Sequence, residues 1–419
     1  MNPFKTLKTI ESAKLQNLFT LFATGLLFWI SMTSLLPTLP TYIEDIGGTI
    51  QDVGLVMGCF AIGLLLSRNW LGILADRRGR KLLILIGTVV VGLAPLGYLF
   101  AKSIPVLMIL RAFHGISIAA FTTGYSALVV DLSPIKQRGE LIGYMSLAVP
   151  VGMAIGPALG GFLQQSTGYT PLFLVSATSG FLAFLLANQV KEDTTYPTIY
   201  PHKTTANKPN RSFWQLLSSP SLLVPTMILL LIGLLFGTLA TFFPLFVRQI
   251  DPHFNIGLFY TVAAIASFAV RIFTGRASDL YGRGLFISLS LVCYALSMLL
   301  LFWATTPEAF LMAAIFEGSG GGLLIPMILA LLSDRSLAHE RAQVFAICTS
   351  GFDVGIAIAG PILGYLTVAI ALGYREMFAL AGSLAIVALL LFFTQSNKNI
   401  SYSFRFALGQ EKDFYALEE

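Results

Sequence analysis

Arg68-Asn-Trp-Leu-Gly72-Ile-Leu-Ala-Asp76-Arg-Arg-Gly79-Arg80-Lys81 returns in outline 203 residues later as Arg271-Ile-Phe-Thr-Gly275-Arg-Ala-Ser-Asp279-Leu-Tyr-Gly282-Arg283-Gly284. The same shift carries Gly115, Asp131, Ser133 and Arg138 onto Gly318, Asp334, Ser336 and Arg341. Two copies of that length account for nearly all of the 419 residues. A repeat on this scale is the trace of two pseudo-symmetric halves, and in a membrane protein a substrate site is expected between them.

The composition makes it a membrane protein. Mean hydropathy is +0.79 and only 11% of residues are charged, outside the range of soluble domains. Apolar residues come in blocks of about 20, enough to cross roughly 30 Å of hydrocarbon as helix. Twelve spans are predicted, at 17–40, 52–75, 82–101, 106–130, 141–165, 171–190, 220–247, 257–277, 285–304, 309–332, 343–368 and 376–394. Only helices satisfy every backbone amide within such segments. The fold class is therefore all-α, with twelve transmembrane helices in two six-helix bundles. The bundles fall at 1–190 and 220–394, with a cytoplasmic linker at 191–219 and a cytoplasmic tail at 395–419. The tail, mixed in charge, is expected to be mobile, with room for a short interfacial helix.

Orientation follows from Lys and Arg. With Met1 inside, the inner connections hold most of the bases, among them Arg77, Arg78, Arg80, Lys136, Lys191 and Arg405. The outer connections hold Lys102, Arg248 and Arg375 against Glu44, Asp45, Asp251 and Glu308. Both termini are expected in the cytoplasm and the chain in a bacterial inner (plasma) membrane, as a monomer. The net charge of +5 reflects this bias and does not point to nucleic acid. The basic start leads into a span too long for a signal-peptide core, so the first helix is expected to stay. Cys59, Cys293 and Cys348 lie within predicted spans and imply no disulfide framework. The sequence has no P-loop, zinc-ligand spacing or dinucleotide fingerprint. No cofactor, no metal and no enzymatic activity are expected. The expected partners are the bilayer, a small-molecule substrate and protons.

Several motifs carry chemistry. Arg68, Gly72 and Asp76 recur every four residues and share a helix face. Gly72 would let a neighbouring backbone approach, and Asp76 would accept hydrogen bonds from a facing helix N-terminus or an Arg. Together with Gly79, Arg80, Arg138, Arg271, Gly275, Asp279, Gly282, Arg283 and Arg341, they read as a gate at the inner ends of the helices. The plain alternative is a basic loop set by topology. Arg111 lies within the fourth span, where a charge must face a partner or a cavity. His114, one turn away, ordinarily titrates near neutral pH. In the fifth span, Gly152, Gly156, Pro157, Gly160 and Gly161 form a small-residue face bent at the proline, and Gly360 and Pro361 are a looser echo in the second half. The remaining acids within spans are Glu317 and Asp353. The repeat places Glu317 opposite His114. Each acid is a candidate proton carrier, or a counter-ion for Arg111 or a cationic substrate, and Asp353 has structural pairing as a further role. Trp29, Tyr125, Tyr144, Phe236, Phe243 and Tyr260 are candidate cavity aromatics, against a background of packing Phe.

On these motifs the chain resembles the major facilitator superfamily over essentially its full length. Gly72, Asp76, Gly79, Arg80 and Lys81 match its loop 2–3 signature, and the second copy departs from it at Gly284. Arg111 to Gly115 resembles the motif of proton-coupled members. Gly152 to Gly161 resembles the fifth-helix motif of exporting antiporters. The resemblance implies two bundles rocking about a central cavity, with the loop signature stabilising the outward-facing state. The first span holds no acid between Asn17 and Tyr42, where several multidrug exporters of the family place one. The expected function is proton-coupled efflux, an antiport of a small amphipathic compound by alternating access. The alternatives are proton symport of a sugar or organic anion and, in another class, a non-transporting receptor or lipid-handling protein on the same fold.

Overall fold

A computed structural model describes residues 12–134, 137–192, 215–216, 219–337 and 340–417. Among them there is no strand. Twelve helical stretches are long and apolar enough to cross a membrane, as the hydropathy pattern requires.

In the first half these are α1 (Ser12–Ser34) with α2 (Leu39–Asp45), α3 (Ile50–Arg78), α4 (Arg80–Phe100), α5 (Ile104–Leu132), α6 (Arg138–Ser146) with α7 (Ala148–Thr167), and α8 (Tyr169–Gln189). The second half has α9 (Pro220–Ile250), α10 (Gly257–Tyr281), α11 (Arg283–Trp303), α12 (Pro307–Asp334), α13 (Arg341–Ile370) and α14 (Tyr374–Gln395), followed by a short α15 (Ile400–Ala407). Two predicted spans are broken near prolines. Pro37 and Pro150 each lack an N–H, and their rings would clash with the carbonyls of Thr33 and Ser146, close to where α1 and α6 end.

The chain divides into two compact units. The first takes in α1–α8 and Asn255–Thr261; the second runs from α9, without those seven residues, to the tail. Most of the predicted linker lies outside the described residues.

Within the first unit, close helix contacts are made at glycines. Gly152, Gly156 and Gly160 of α7 lie against Trp29, Thr33 and Ser34 of α1, where a Cβ would strike side chain or backbone. Gly63 and Gly115 bring α3 and α5 together against Ala112 and Phe60. Ser31 and Ser176 donate to each other's carbonyls at 2.7 and 2.8 Å, tying α1 to α8 where helices cannot rely on a hydrophobic driving force. Phe28 stacks on Phe121 at 3.8 Å between centroids.

The second unit repeats the scheme. Gly233 and Gly355 join α9 to α13, and Gly318 and Gly322 join α12 to α10. Ser290 and Ser297 of α11 each donate to an α12 carbonyl, at Gly320 and Ala313, at 2.8 Å.

The loop motifs fold alike in the two units. Gly79 has φ +92° and ψ 163°, and Gly282 has φ +82° and ψ 146°. Both values fall in a region essentially reserved for glycine. Each glycine reverses the chain between consecutive helices, α3 and α4 or α10 and α11.

Two sequence expectations are corrected. A Cβ at Gly72 would meet nothing within 4 Å among the described residues, so no neighbouring backbone uses that glycine for close approach. The tail, expected to be mobile, is folded over 395–417. It folds back on the second unit, because Arg335 is buried and takes its counter-charge from Asp413 at 2.7 Å.

These backbone values predict a clear split among the motif glycines. Gly79→Ala and Gly282→Ala should each cost on the order of 1–3 kcal/mol. Gly72→Ala, inside a helix with open space beside it, should be neutral or slightly stabilising. Thermal unfolding of the purified variants in detergent measures the difference.

Candidate functional site

In the first unit, α5 carries a buried Arg and a buried His one turn apart. Arg111 is 5% exposed and His114 is fully buried. The Arg111 guanidinium lies over the Phe60 ring, 4.4 Å from its centroid. The same ring meets His114 edge to face at 5.7 Å. The Tyr98 hydroxyl, from α4, lies 3.0 Å from His114 Nδ1, which fixes the ring's orientation. Nε of Arg111 and Nε2 of His114 have no hydrogen-bond partner among the described residues. The positive charge of Arg111 acts on Tyr98, His114 and Cys59. A cation held this way, against a π face and without a carboxylate, remains able to bind an anion or polarise a proton-bearing neighbour.

The second unit carries an acid at the repeat-equivalent place. Glu317 on α12 is 8% exposed, and burial alone acts on its carboxyl, with no charged partner among the described residues. Beside it stands Tyr294 of α11, which feels both Glu317 and Arg271. Arg271 of α10 donates from Nε to the Gly322 carbonyl at 3.3 Å. Gly320 and Gly321 leave room for the Tyr294 ring and hydroxyl. Arg271 therefore stands beside Tyr294, with its side chain exposed. Asp353 is half-buried on α13.

The sequence motifs supply a second kind of site at the helix ends. Arg80 Nε meets Asp131 Oδ2 at 2.9 Å, and Arg283 Nε meets Asp334 Oδ2 at 3.0 Å. Each pair joins the start of the third span of its half to the end of the fourth. The side chains are 26–42% exposed, so each pair is worth about 0–1 kcal/mol. They are weak enough to part and re-form. In the first unit, Glu192 accepts from the Arg80 and Lys81 amides at 2.8 and 3.2 Å, satisfying donors that the first turn of α4 leaves open. Arg341 donates to the Ser333 carbonyl at 3.2 Å, and Arg68 is half-buried on α3. The side chains of Asp76, Arg138 and Asp279, and the surroundings of Gly275, lie outside what the structure describes.

The candidate aromatics are placed by packing. Phe243 is fully buried against Phe310. Tyr125 stacks on Phe121 at 5.2 Å and donates to the Met145 carbonyl at 3.0 Å. Tyr144 donates to Glu140 at 2.9 Å, Trp29 is edge-on to Phe28, Phe236 contacts Phe352, and Tyr260 is buried edge-on to Phe259. At the helix-packing motif, Gly161 faces Asn255, and the Pro157 carbonyl lies against Gly257, all within the first unit. Gly360 is buried, and Pro361 sits inside α13.

Sequence reasoning missed Tyr98 and Tyr294. The available signal was a tyrosine deep within an apolar span, whose hydroxyl needs a polar partner when buried.

The Major Facilitator Superfamily model matches residues 21–255 and 247–405. Quinolone resistance protein NorA of Staphylococcus aureus (strain N315) is 31% identical over 172 residues, which is 41% of this chain and 44% of NorA. That match spans less than half the length of the relative. Multidrug resistance protein 1 of Bacillus subtilis (strain 168) is 27% identical over 377 residues, 87% of this chain and 91% of its own. A bacterial homologue of the human lysosomal transporter Spinster, inward-facing and unoccupied, superposes with a TM-score of 0.72 at 15% identity, over 95% of this chain and 97% of that one. The nucleoside transporter NupG has the same TM-score at 14% identity, over 89% of this chain and 98% of its own. At these identities the two solved structures share the fold alone.

The Tyr98–His114 contact generates a stability prediction. Tyr98→Phe leaves a buried imidazole nitrogen without its partner and should cost about 1–3 kcal/mol. A lowered melting temperature in detergent would register this. An unchanged one would mean that the contact adds nothing.

Proposed function

The chain belongs to the Major Facilitator Superfamily, and from that premise we propose that it is a proton-coupled exporter of small amphipathic organic compounds in a bacterial plasma membrane. The observation that carries this reading is Glu317, a buried carboxyl with no charged partner among the described residues. A carboxylate in such a place bears a desolvation cost that either a proton or a cationic substrate removes. Competition between the two is the elementary requirement of antiport. Substrate entering in one access state displaces the proton; a proton entering in the other displaces the substrate. The ligands drive the change of state only because they bind the two states differently. The full-length likeness to a protein named for multidrug resistance supports export of more than one compound.

Arg111, His114 and Tyr98 hold the charge balance of the first half, and Asp353 is the second candidate proton carrier. The ion pairs Arg80–Asp131 and Arg283–Asp334 part and re-form as access alternates. Arg68, Asp76, Asp279, Arg138 and Arg341 belong to the same gate. A second reading rests on Arg111, whose buried cation is suited to an organic anion. On that reading proton and substrate travel together, and the chain is an uptake symporter.

Purified protein in liposomes with an imposed pH gradient separates these readings. Internal pH would be followed while lipophilic cations, sugars and organic acids are added. The expected result is proton release driven by lipophilic cations, reduced to the level of empty liposomes in Glu317→Gln and kept in Asp353→Asn. Proton entry driven by organic acids would establish symport instead. Flux unaffected by Glu317→Gln would remove Glu317 as the coupling group.

A further inference from the structure

In the second unit the chain beyond α14 covers the loop motif. The buried face of α15, Ser403, Phe406 and Ala407, packs on the start of α11. Ser288 of α11 donates to the Ala407 carbonyl at 2.8 Å. Gly409, with φ +73°, lies against the Tyr281 carbonyl. A Cβ at Gly284 would collide with the Phe406 carbonyl. Gly284 is also where the second motif departs from the first, which has Lys81 there. The departure is what the docked tail requires.

Beyond α15 the chain reaches the end of α12. Asp413 grips Arg335 with both oxygens, at 2.7 Å from Nε and 2.8 Å from a terminal nitrogen. The same guanidinium donates to the carbonyls of Ser221 and Ser396 at 2.8 and 2.9 Å. The two charged side chains are 0% and 9% exposed, and Tyr415 lies 5.1 Å from the guanidinium. The Leu417 amide donates to the Asp334 carbonyl at 2.9 Å. Asp334 and Arg335 are consecutive, so one stretch of backbone carries both the Arg283–Asp334 pair and the anchor of the tail.

We propose that the tail is a working part of the second gate, with Asp413, through Arg335, positioning Asp334 against Arg283. The first half meets the same need with Glu192 on the amides of Arg80 and Lys81. The second half replaces that single carboxylate with a folded segment. The proposal rests on the reading above that the Arg283–Asp334 pair acts in the transport cycle. Asp413 is a positioning residue and touches no substrate. A buried Arg stripped of its partner is strongly unfavourable, so loss of Asp413 must move Arg335 and, with it, Asp334.

The test uses full-length protein and three variants, Asp413→Asn, Asp413→Glu and Arg283→Gln, with the Asn/Gln double variant. Hydrogen exchange is read over residues 283–291 and 327–337, and pH-driven movement of tetraphenylphosphonium is read in liposomes. Asp413→Asn should speed exchange in both segments by about tenfold and slow transport, and Asp413→Glu should restore both. The double variant should transport no worse than the slower single one, because both changes act on one pair. Exchange that rises only over 396–417, or losses that multiply in the double variant, would make the tail a mere strap and overturn the proposal. If wild type does not move the cation, the export reading fails while exchange still decides the positioning. Should Asp413→Asn fail to fold, a chain ended after Phe414 loses the Leu417 bond to Asp334 and is read in the same way.

Discussion

A peptide group inside hydrocarbon has no water to bond, and this constraint shapes the rest of the molecule. It turns each apolar block into a helix and limits turns to the ends. It also removes the hydrophobic drive for one helix to seek another, so contact depends on close backbone approach and on hydroxyls bonding carbonyls. The stripe Gly152, Gly156 and Gly160 of α7 against α1, and the paired serines Ser31 and Ser176, are the direct results. A charged group in the same solvent is costly, and the few that persist mark places where the energy is used. Arg111 and Glu317 are groups buried in this way.

The repeat supplies the scaffold twice but not the chemistry twice. The shift that matches Asp131 with Asp334 carries Arg111 onto Ala314 and Tyr98 onto Leu301. It carries Tyr294 back onto Val91. The first half therefore buries a cation with an imidazole and a phenol, and the second an acid with a phenol.

The ion pairs at the helix ends show the opposite arrangement, with the same chemistry held by different supports. Arg80–Asp131 and Arg283–Asp334 have nearly the same length and exposure. One is backed by a carboxylate on backbone amides, the other by an entire folded tail. Weak pairs on rigid supports can open repeatedly without loss of the fold around them, because the stabilising contacts lie in the support and not in the pair.

Sequence alone determined the twelve spans and the two halves, because hydropathy is a property of neighbouring residues; the turns at Gly79 and Gly282 came with the structure. Sequence singled out Arg111, His114 and Glu317 as candidates, since an ionisable residue in an apolar block is visible without knowing what it faces. It misjudged Gly72 and the tail. An open face and a closed one look alike in sequence, and Asp413 reads as an ordinary polar tail residue until Arg335 is seen beside it. The Tyr98–His114 contact spans 16 residues and the Arg335–Asp413 contact 78. Only the tertiary structure decided these, because a buried polar group is satisfied by whatever packing brings within 3 Å, and no local pattern records that partner.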